Sequence, residues 1–259
     1  MIRFRRCVLF RTRAIAVSAA LGLALAAVSA PAGEAKQPPG AQPQAAAAGG
    51  PEAKQPDKEG WISLFDGKSL GDWKVVAEAD FERHGEVLVE DRQILLKAGL
   101  PATGIKWSGK FPKIDYEIAL EAMRVEGDDF FCGLTFPVGD RWLTLVCGGW
   151  GGQTTGLSNI DGDSAIDNET CTFQEYKQKQ WYRIRVRVAR DRIAAWLDQE
   201  QIVDLESANR QLSIRWEVEP TQPLGIATWY TTAALRNIRF RPLADRPPAR
   251  PKEPDAKRE

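Results

Sequence analysis

The chemistry available to this chain must come from carboxylates, indoles and glycine-rich backbone, because imidazole is nearly missing. His84 is the single histidine among 259 residues. That excludes any multi-His metal site and makes a Ser-His-Asp or Cys-His mechanism depend on one residue. The densest acidic string is Asn159 to Glu169, N-I-D-G-D-S-A-I-D-N-E. Asp161, Asp163, Asp167 and Glu169 supply enough oxygen for a hard divalent cation such as Ca²⁺. It is not an EF-hand, since Ser164 stands at the glycine position and Thr170 at the closing glutamate position. The competing reading is a polar turn whose Asp side chains satisfy their own backbone. Gly148-Gly149-Trp150-Gly151-Gly152 is the most unusual string. Gly149 and Gly151 flank the indole and permit close approach of a ligand. Trp150 there is either a platform for the apolar face of a ring such as a sugar or a plug at the end of the fold. Trp229-Tyr230-Thr231-Thr232 can line the same surface, with the Thr231 hydroxyl as a donor. Arg183, Arg185 and Arg187 share one strand face and are expected to be paired with acids in solvent rather than to form an anion site.

Positioning those groups requires strands. Trp181 to Val188 alternates polar and apolar, and Ile114 to Glu121 does the same, the pattern of half-buried β-strands. Shorter candidates are Ile62–Phe65, Ile94–Lys97, Phe130–Phe136, Trp142–Cys147, Ile193–Leu197, Leu224–Trp229 and Leu235–Phe240. Asp66-Gly67, Phe136-Pro137, Val138-Gly139-Asp140, Arg190-Asp191 and Asp198-Gln199 punctuate them as turns. No 12-residue helical pattern is present. Many short antiparallel strands with one apolar face predict an all-β sandwich, because two sheets must bury their inner faces against each other. Of four cysteines, Cys132, Cys147 and Cys171 lie in the strand-rich region, so at most one disulfide can form. The Val138–Arg141 turn is expected to place Cys132 and Cys147 diagonally on adjacent strands. Diagonal neighbours are too far apart to bridge, and buried free thiols are expected.

The ends are expected to lie outside that fold. Five arginines in the first 13 residues, an apolar run from Ala14 to Val28 and Ala30-Pro31-Ala32 predict a signal peptide over 1–32 and an exported protein. The alternative is an uncleaved N-terminal anchor. Removing residues 1–32 leaves 30 basic against 35 acidic residues, which argues against nucleic acid as a partner. Residues 33–60 read as an Ala/Pro/Gln-rich tether and 244–259 as a Pro- and charge-rich tail. The folded unit is therefore expected over 61–243.

Gly60-Trp61-Ile62-Ser63-Leu64-Phe65-Asp66-Gly67-Lys68-Ser69-Leu70-Gly71-Asp72-Trp73 resembles the opening signature of the 3-keto-disaccharide hydrolase domain family. Asp115-Tyr116-Glu117 leading to Glu121 and Arg124, Asp129-Phe130-Phe131-Cys132-Gly133, the Trp181–Asp198 hairpin and Leu235-Arg236-Asn237-Ile238-Arg239 resemble later segments in order. The resemblance implies a concanavalin A-like jelly roll, a carbohydrate substrate or ligand, and lyase, hydratase or hydrolase chemistry on 3-keto-glycosides. It also sets Arg124 beside the substrate-binding candidates. A C3 ketone acidifies the C2 hydrogen, so that route needs a positioned base and stabilisation of an enolate oxygen, but no nucleophilic Ser or Cys. Glu121, on the outward face of the Ile114–Glu121 strand, is the candidate base; a bound divalent cation could assist. The family pattern carries a His after its late "GI-x-LQ" strand, whereas Gly225-Ile226-Ala227-Thr228-Trp229-Tyr230 has none. A non-catalytic sugar-binding module and a surface interaction domain therefore stand as alternatives.

Overall fold

The computed structural model describes residues 55–243. The alternating segments within them are strands, in chain order β1 (Ile62–Ser63), β2 (Trp73–Val75), β3 (Val87–Glu90), β4 (Gln93–Leu96) and β5 (Ala102–Trp107). There follow β6 (Tyr116–Glu126), β7 (Cys132–Val138), β8 (Arg141–Gly148), β9 (Thr154–Ser158) and β10 (Thr172–Phe173). The last are β11 (Trp181–Val188), β12 (Arg192–Leu197), β13 (Glu200–Glu206), β14 (Gly225–Trp229) and β15 (Thr232–Pro242). Helical structure among the described residues is limited to a turn at Gly149–Gly152 and two 3₁₀ segments, Ala79–Phe81 and Trp216–Thr221. No helix there is long and apolar enough to cross a membrane. The expected signal peptide, residues 33–54 of the expected tether and the expected tail lie outside the described residues.

The strands form two antiparallel sheets. One runs β13-β12-β11-β6-β15-β4-β3, with β1 against the far end of β15. The other runs β10-β9-β8-β7-β14-β5-β2. Their inner faces interdigitate as one core. Ile118, Leu120 and Ala122 of β6 and Ile184, Val186 and Val188 of β11 pack with Leu134 and Phe136 of β7 and Leu143 and Leu145 of β8. Each such fully buried side chain contributes about 1.5–3 kcal/mol. The fold is the concanavalin A-like jelly-roll sandwich expected from the sequence.

The two outer faces differ, and the difference places the site. On the eight-stranded sheet, Glu117 is 0% exposed and accepts from Arg185 (2.8 Å), Arg187 (2.8 Å) and Arg241 (2.6 Å). Arg185 also lies 3.7 Å over the Trp196 ring, and Arg236 lies 3.9 Å over Trp181. For Arg185 and Arg187, the expected acid-paired face is what forms. On the seven-stranded sheet, the outer face carries a second apolar cluster. Val76, Phe81, Ala102, Val218 and Ala227 pack there with Phe130 and Trp229, beneath the two 3₁₀ segments. Strands β5 and β14 are thus covered on both faces.

The β7–β8 hairpin corrects one expectation. Val138 pairs with Arg141 across a two-residue Gly139-Asp140 turn, and the same register sets Cys132 directly opposite Cys147, not diagonally. Both thiols are buried and free.

Candidate functional site

A cavity of about 190 Å³ opens on the outer face of the seven-stranded sheet. Its floor is the outward side of β8 and β9, through Thr144, Val146 and Ser158. Alternation along β8 explains this, since Leu143, Leu145 and Cys147 point into the core. Phe130 and Trp229 form one wall, stacked at 6.0 Å and 26°. Arg215, Glu217 and Val218, from the segment bearing the second 3₁₀ turn, form the cover. Trp150 closes the remaining side and is 39% exposed, so a planar ligand can reach its face. Below the floor a chain of buried hydroxyls links Thr144, Thr135 and Thr221, at 2.9 and 2.8 Å. Thr221 closes it by donating to the carbonyl of Val218 at 2.6 Å.

Asp129 places a half-buried carboxylate in the cavity lining. Its Oδ1 accepts from the backbone N–H of Phe130 at 2.7 Å. The Gly151 N–H also reaches it. Among the described residues it has no ion-pair partner. Burial pushes its pKa above the usual aspartate value, while the two N–H groups and the charge of Arg124 act in the opposite direction. A carboxylate with few compensating donors is a stronger base than a solvated one. Arg215, on the cover segment, lines the same cavity. Its Nε donates to Glu217 at 3.1 Å, its Nη2 pairs with the other Glu217 oxygen, and its guanidinium lies 5.9 Å from the Trp150 ring. A guanidinium has five N–H groups, so three remain for a ligand oxygen.

The expected site residues separate into those brought together here and those placed elsewhere. Trp150 and Trp229 share the cavity. Gly149 is buried against β8, where a Cβ would come within 2.8 Å of Val146 Cγ1. Gly151 contributes its N–H to Asp129. Thr231 is buried, and its Oγ1 accepts from the Asp129 N–H at 3.1 Å, so it holds the carboxylate's backbone rather than offering a surface donor. Arg124 does not line the cavity. It is 5% exposed and lies behind the glycine turn.

Glu121 lies apart from this cavity. It lies on the outward face of the other sheet, across the sandwich from the cavity. There it pairs with Arg236 at 2.8 Å and accepts from Asn237 at 3.0 Å. It lines a separate groove with Trp61, Arg183 and Asp198. Burial alone would raise its carboxyl, but Arg236 and Asn237 hold it below the usual range.

The acidic loop is used internally. Arg210 binds both Asp161 and Glu169 at 2.6 Å. Asp167 accepts from Ser164 at 2.8 Å. Asp163 is exposed, and its backbone bridges Ile160. Asn168 Nδ2 donates to the carbonyls of Leu157, Asp163 and Ser164. Among the described residues no group of three or more His, Cys, Asp or Glu is arranged to hold a metal ion. The loop instead grips the cover segment. Asn159 and Ser213 exchange backbone hydrogen bonds of 2.5 and 3.1 Å, and Asp161 binds Gln211 through both backbone and carboxylate.

Residues 60–241 match the family model of the 3-keto-alpha-glucoside-1,2-lyase-like domain. The chain belongs to this family. Its fold unit is thus a carbohydrate-active domain, and the match spans every residue of the cavity. No curated protein matches the chain significantly. Similar solved structures include the carbohydrate-binding module CBM66 from Bacillus subtilis, at 14% identity and TM-score 0.41, covering 66% of this chain and 95% of that one. A Bacillus subtilis protein with a galectin-like fold is 10% identical at TM-score 0.48, covering 66% and 90%. A Crh5 transglycosylase in complex with NAG is 10% identical at TM-score 0.49, covering 74% and 87%.

The residues that sequence reading passed over are Asp129, Phe130, Ser158, Arg215 and Glu217. Asp129 sits directly before the Phe130-Phe131 pair, an acid at the mouth of a buried strand, and that was its available signal. Arg215-Trp216-Glu217 precedes Pro220 without any periodicity, and nothing local marks it.

Proposed function

We propose that this domain is a 3-keto-glycoside lyase, with its site in the Trp150–Trp229 cavity and Asp129 as its base. The observation that carries the reading is the half-buried Asp129 carboxylate, without an ion pair among the described residues, in a cavity it shares with Trp150, Trp229 and Arg215. A pyranose would stack on Trp150 or Trp229 through its apolar face. Asp129 would take the proton from C2, and the C2–H electrons would form the C2=C3 enolate. The three free N–H groups of Arg215 would hold the oxyanion at C3, with Glu217 fixing the guanidinium. Collapse of the enolate restores the C3 ketone and breaks the C1–O bond, leaving a C1=C2 double bond. The departing oxygen takes a proton, which protonated Asp129 can return. Addition of water across C1=C2 then completes net hydrolysis.

Incubation with a 3-keto-α-glucoside tests this. The wild type is expected to yield the unsaturated 3-keto sugar or its hydrate, and Asp129→Asn is expected to bind the same compound without turnover. Binding by the wild type with no product would instead identify a lectin-like module. The base must be ionised, so kcat/KM is expected to fall as pH drops through the raised Asp129 pKa. That limb lies above the ordinary aspartate value of 3.8.

A further inference from the structure

We infer that Arg124 is a positioning residue, whose single buried guanidinium fixes both the base Asp129 and the stacking residue Trp150. The functional half of this inference rests on the lyase reading; the geometric half does not. Arg124 stands on β6, in the eight-stranded sheet, and reaches across the interior to the end of the other sheet. Its Nη2 donates to three backbone carbonyls, those of Asp129 (3.0 Å), Gly148 (3.2 Å) and Gly152 (2.9 Å). Gly148 and Gly152 are the two ends of the turn that displays Trp150. The third carbonyl belongs to the base itself. Phe131 and Tyr176, packed edge to face, lie beside the cation with their ring centroids 5.3 and 5.7 Å from it.

This is an expensive arrangement for a purely structural brace. A buried cation normally has a carboxylate partner. Among the described residues Arg124 has no ion pair, and its Nε is buried without a hydrogen-bond partner. Gly148, at the start of the turn, is explained by the same side chain, which also touches Gly152 at its end. A Cβ on Gly148 would lie 2.3 Å from Arg124 Nη2, and one on Gly152 would lie 3.4 Å from Nη1 and 2.7 Å from the Asp128 carbonyl. The string Gly-Gly-Trp-Gly-Gly is therefore shaped to the guanidinium behind it as much as to a ligand in front. The charge also faces Asp129, where it favours the ionised form. Asp128 adds an opposing charge on the same stretch, and Tyr176 and Tyr182 are the other titratable groups packed around the cation.

Two substitutions separate charge from geometry. Arg124→Met keeps bulk and removes the cation. Arg124→Lys keeps the cation but is one atom shorter, so its ammonium stops short of the three carbonyls. The readouts are the Asp129 carboxyl titration by carbon NMR, the fluorine resonance of Trp150 in fluorotryptophan-labelled protein, and kinetics on methyl 3-keto-α-glucoside. In Arg124→Met, Asp129 is expected to titrate at higher pH than in the wild type, with the acid limb of kcat/KM moving the same way. In Arg124→Lys, the Asp129 titration is expected to stay near the wild-type position while the Trp150 resonance moves. Its kcat is expected to fall on the order of 100-fold, as a displacement of about 1 Å does. An unmoved Asp129 titration in Arg124→Met, or an unmoved Trp150 resonance in Arg124→Lys, overturns the inference. If Arg124→Met does not fold, the lysine variant decides alone. If the wild type turns over no 3-keto-glucoside, the lyase reading fails, yet both NMR readouts still judge the positioning role.

Discussion

Trp150 adopts φ 49° and ψ 54°, a left-handed backbone rarely taken by a bulky residue. Holding it there costs of order 1–3 kcal/mol, and such strain gathers at ligand-binding positions. Trp150→Ala is expected to weaken sugar binding about tenfold while leaving the melting temperature nearly unchanged. Titration calorimetry and a thermal melt of the same sample read both; a large drop in stability would make Trp150 a plug. Asp129 leads to a prediction of opposite sign for stability. Its pKa is raised in the folded state, so its favourable contribution is present below the ordinary aspartate range and is lost as pH rises through the raised value. Asp129→Asn should therefore raise the melting temperature at pH 7, gain nothing near pH 3, and abolish turnover. Trp150 stood out in the sequence because a tryptophan among four glycines has few ordinary explanations. Asp129 was not, because its surroundings come largely from far along the chain: the Gly151 N–H that reaches it and Trp150, Arg215 and Trp229 around the same cavity. Glu121 looked equivalent in sequence and differs only in lying on the opposite side of the sandwich.

At the scale of elements, the loop after β9 is a strut. Asp161, Glu169 and Asn159 hold the 209–215 segment, which carries Arg215 over the cavity. Arg210→Ala is expected to cost no more than about 1 kcal/mol of stability, since its partners are partly exposed. It should nonetheless raise KM several-fold and speed hydrogen exchange at Gln211 and Asn159. Unchanged exchange at both amides would contradict the strut. Strands with one wet face, such as Trp181–Val188, were legible from alternation alone. Strand β5 (Ala102-Thr103-Gly104-Ile105-Lys106-Trp107) was not, because the outer apolar cluster covers its second face and erases the alternation. The same holds for β9, whose five residues are all buried. The Cys132–Cys147 pairing was available from the Val138–Arg141 turn, since counting back six residues on each strand from that pair sets the two cysteines directly opposite.

For the whole molecule, the sandwich divides its labour between its outer faces. The eight-stranded face is a charged lattice centred on Glu117, and the seven-stranded face carries the cavity. Burial alone would raise the Glu117 carboxyl, but hydrogen bonds from Arg241 and Arg187, with their charges, bring it below the usual range. That contribution to stability is present above about pH 4.5 and is lost as pH falls through the depressed value. Glu117→Gln is expected to destabilise the domain by about 2–3 kcal/mol at neutral pH and to flatten its acid unfolding, with activity per folded molecule preserved. The central claim is that the cavity removes the C2 proton of a 3-keto-glycoside through Asp129. Turnover of methyl 3-keto-α-glucoside in D₂O, followed by proton NMR, tests it most directly. The account predicts deuterium at C2 of the hydrated product in the wild type and neither exchange nor product with Asp129→Asn. Cleavage that leaves the C2 proton in place, or full activity in the Asp129→Asn variant, would contradict it.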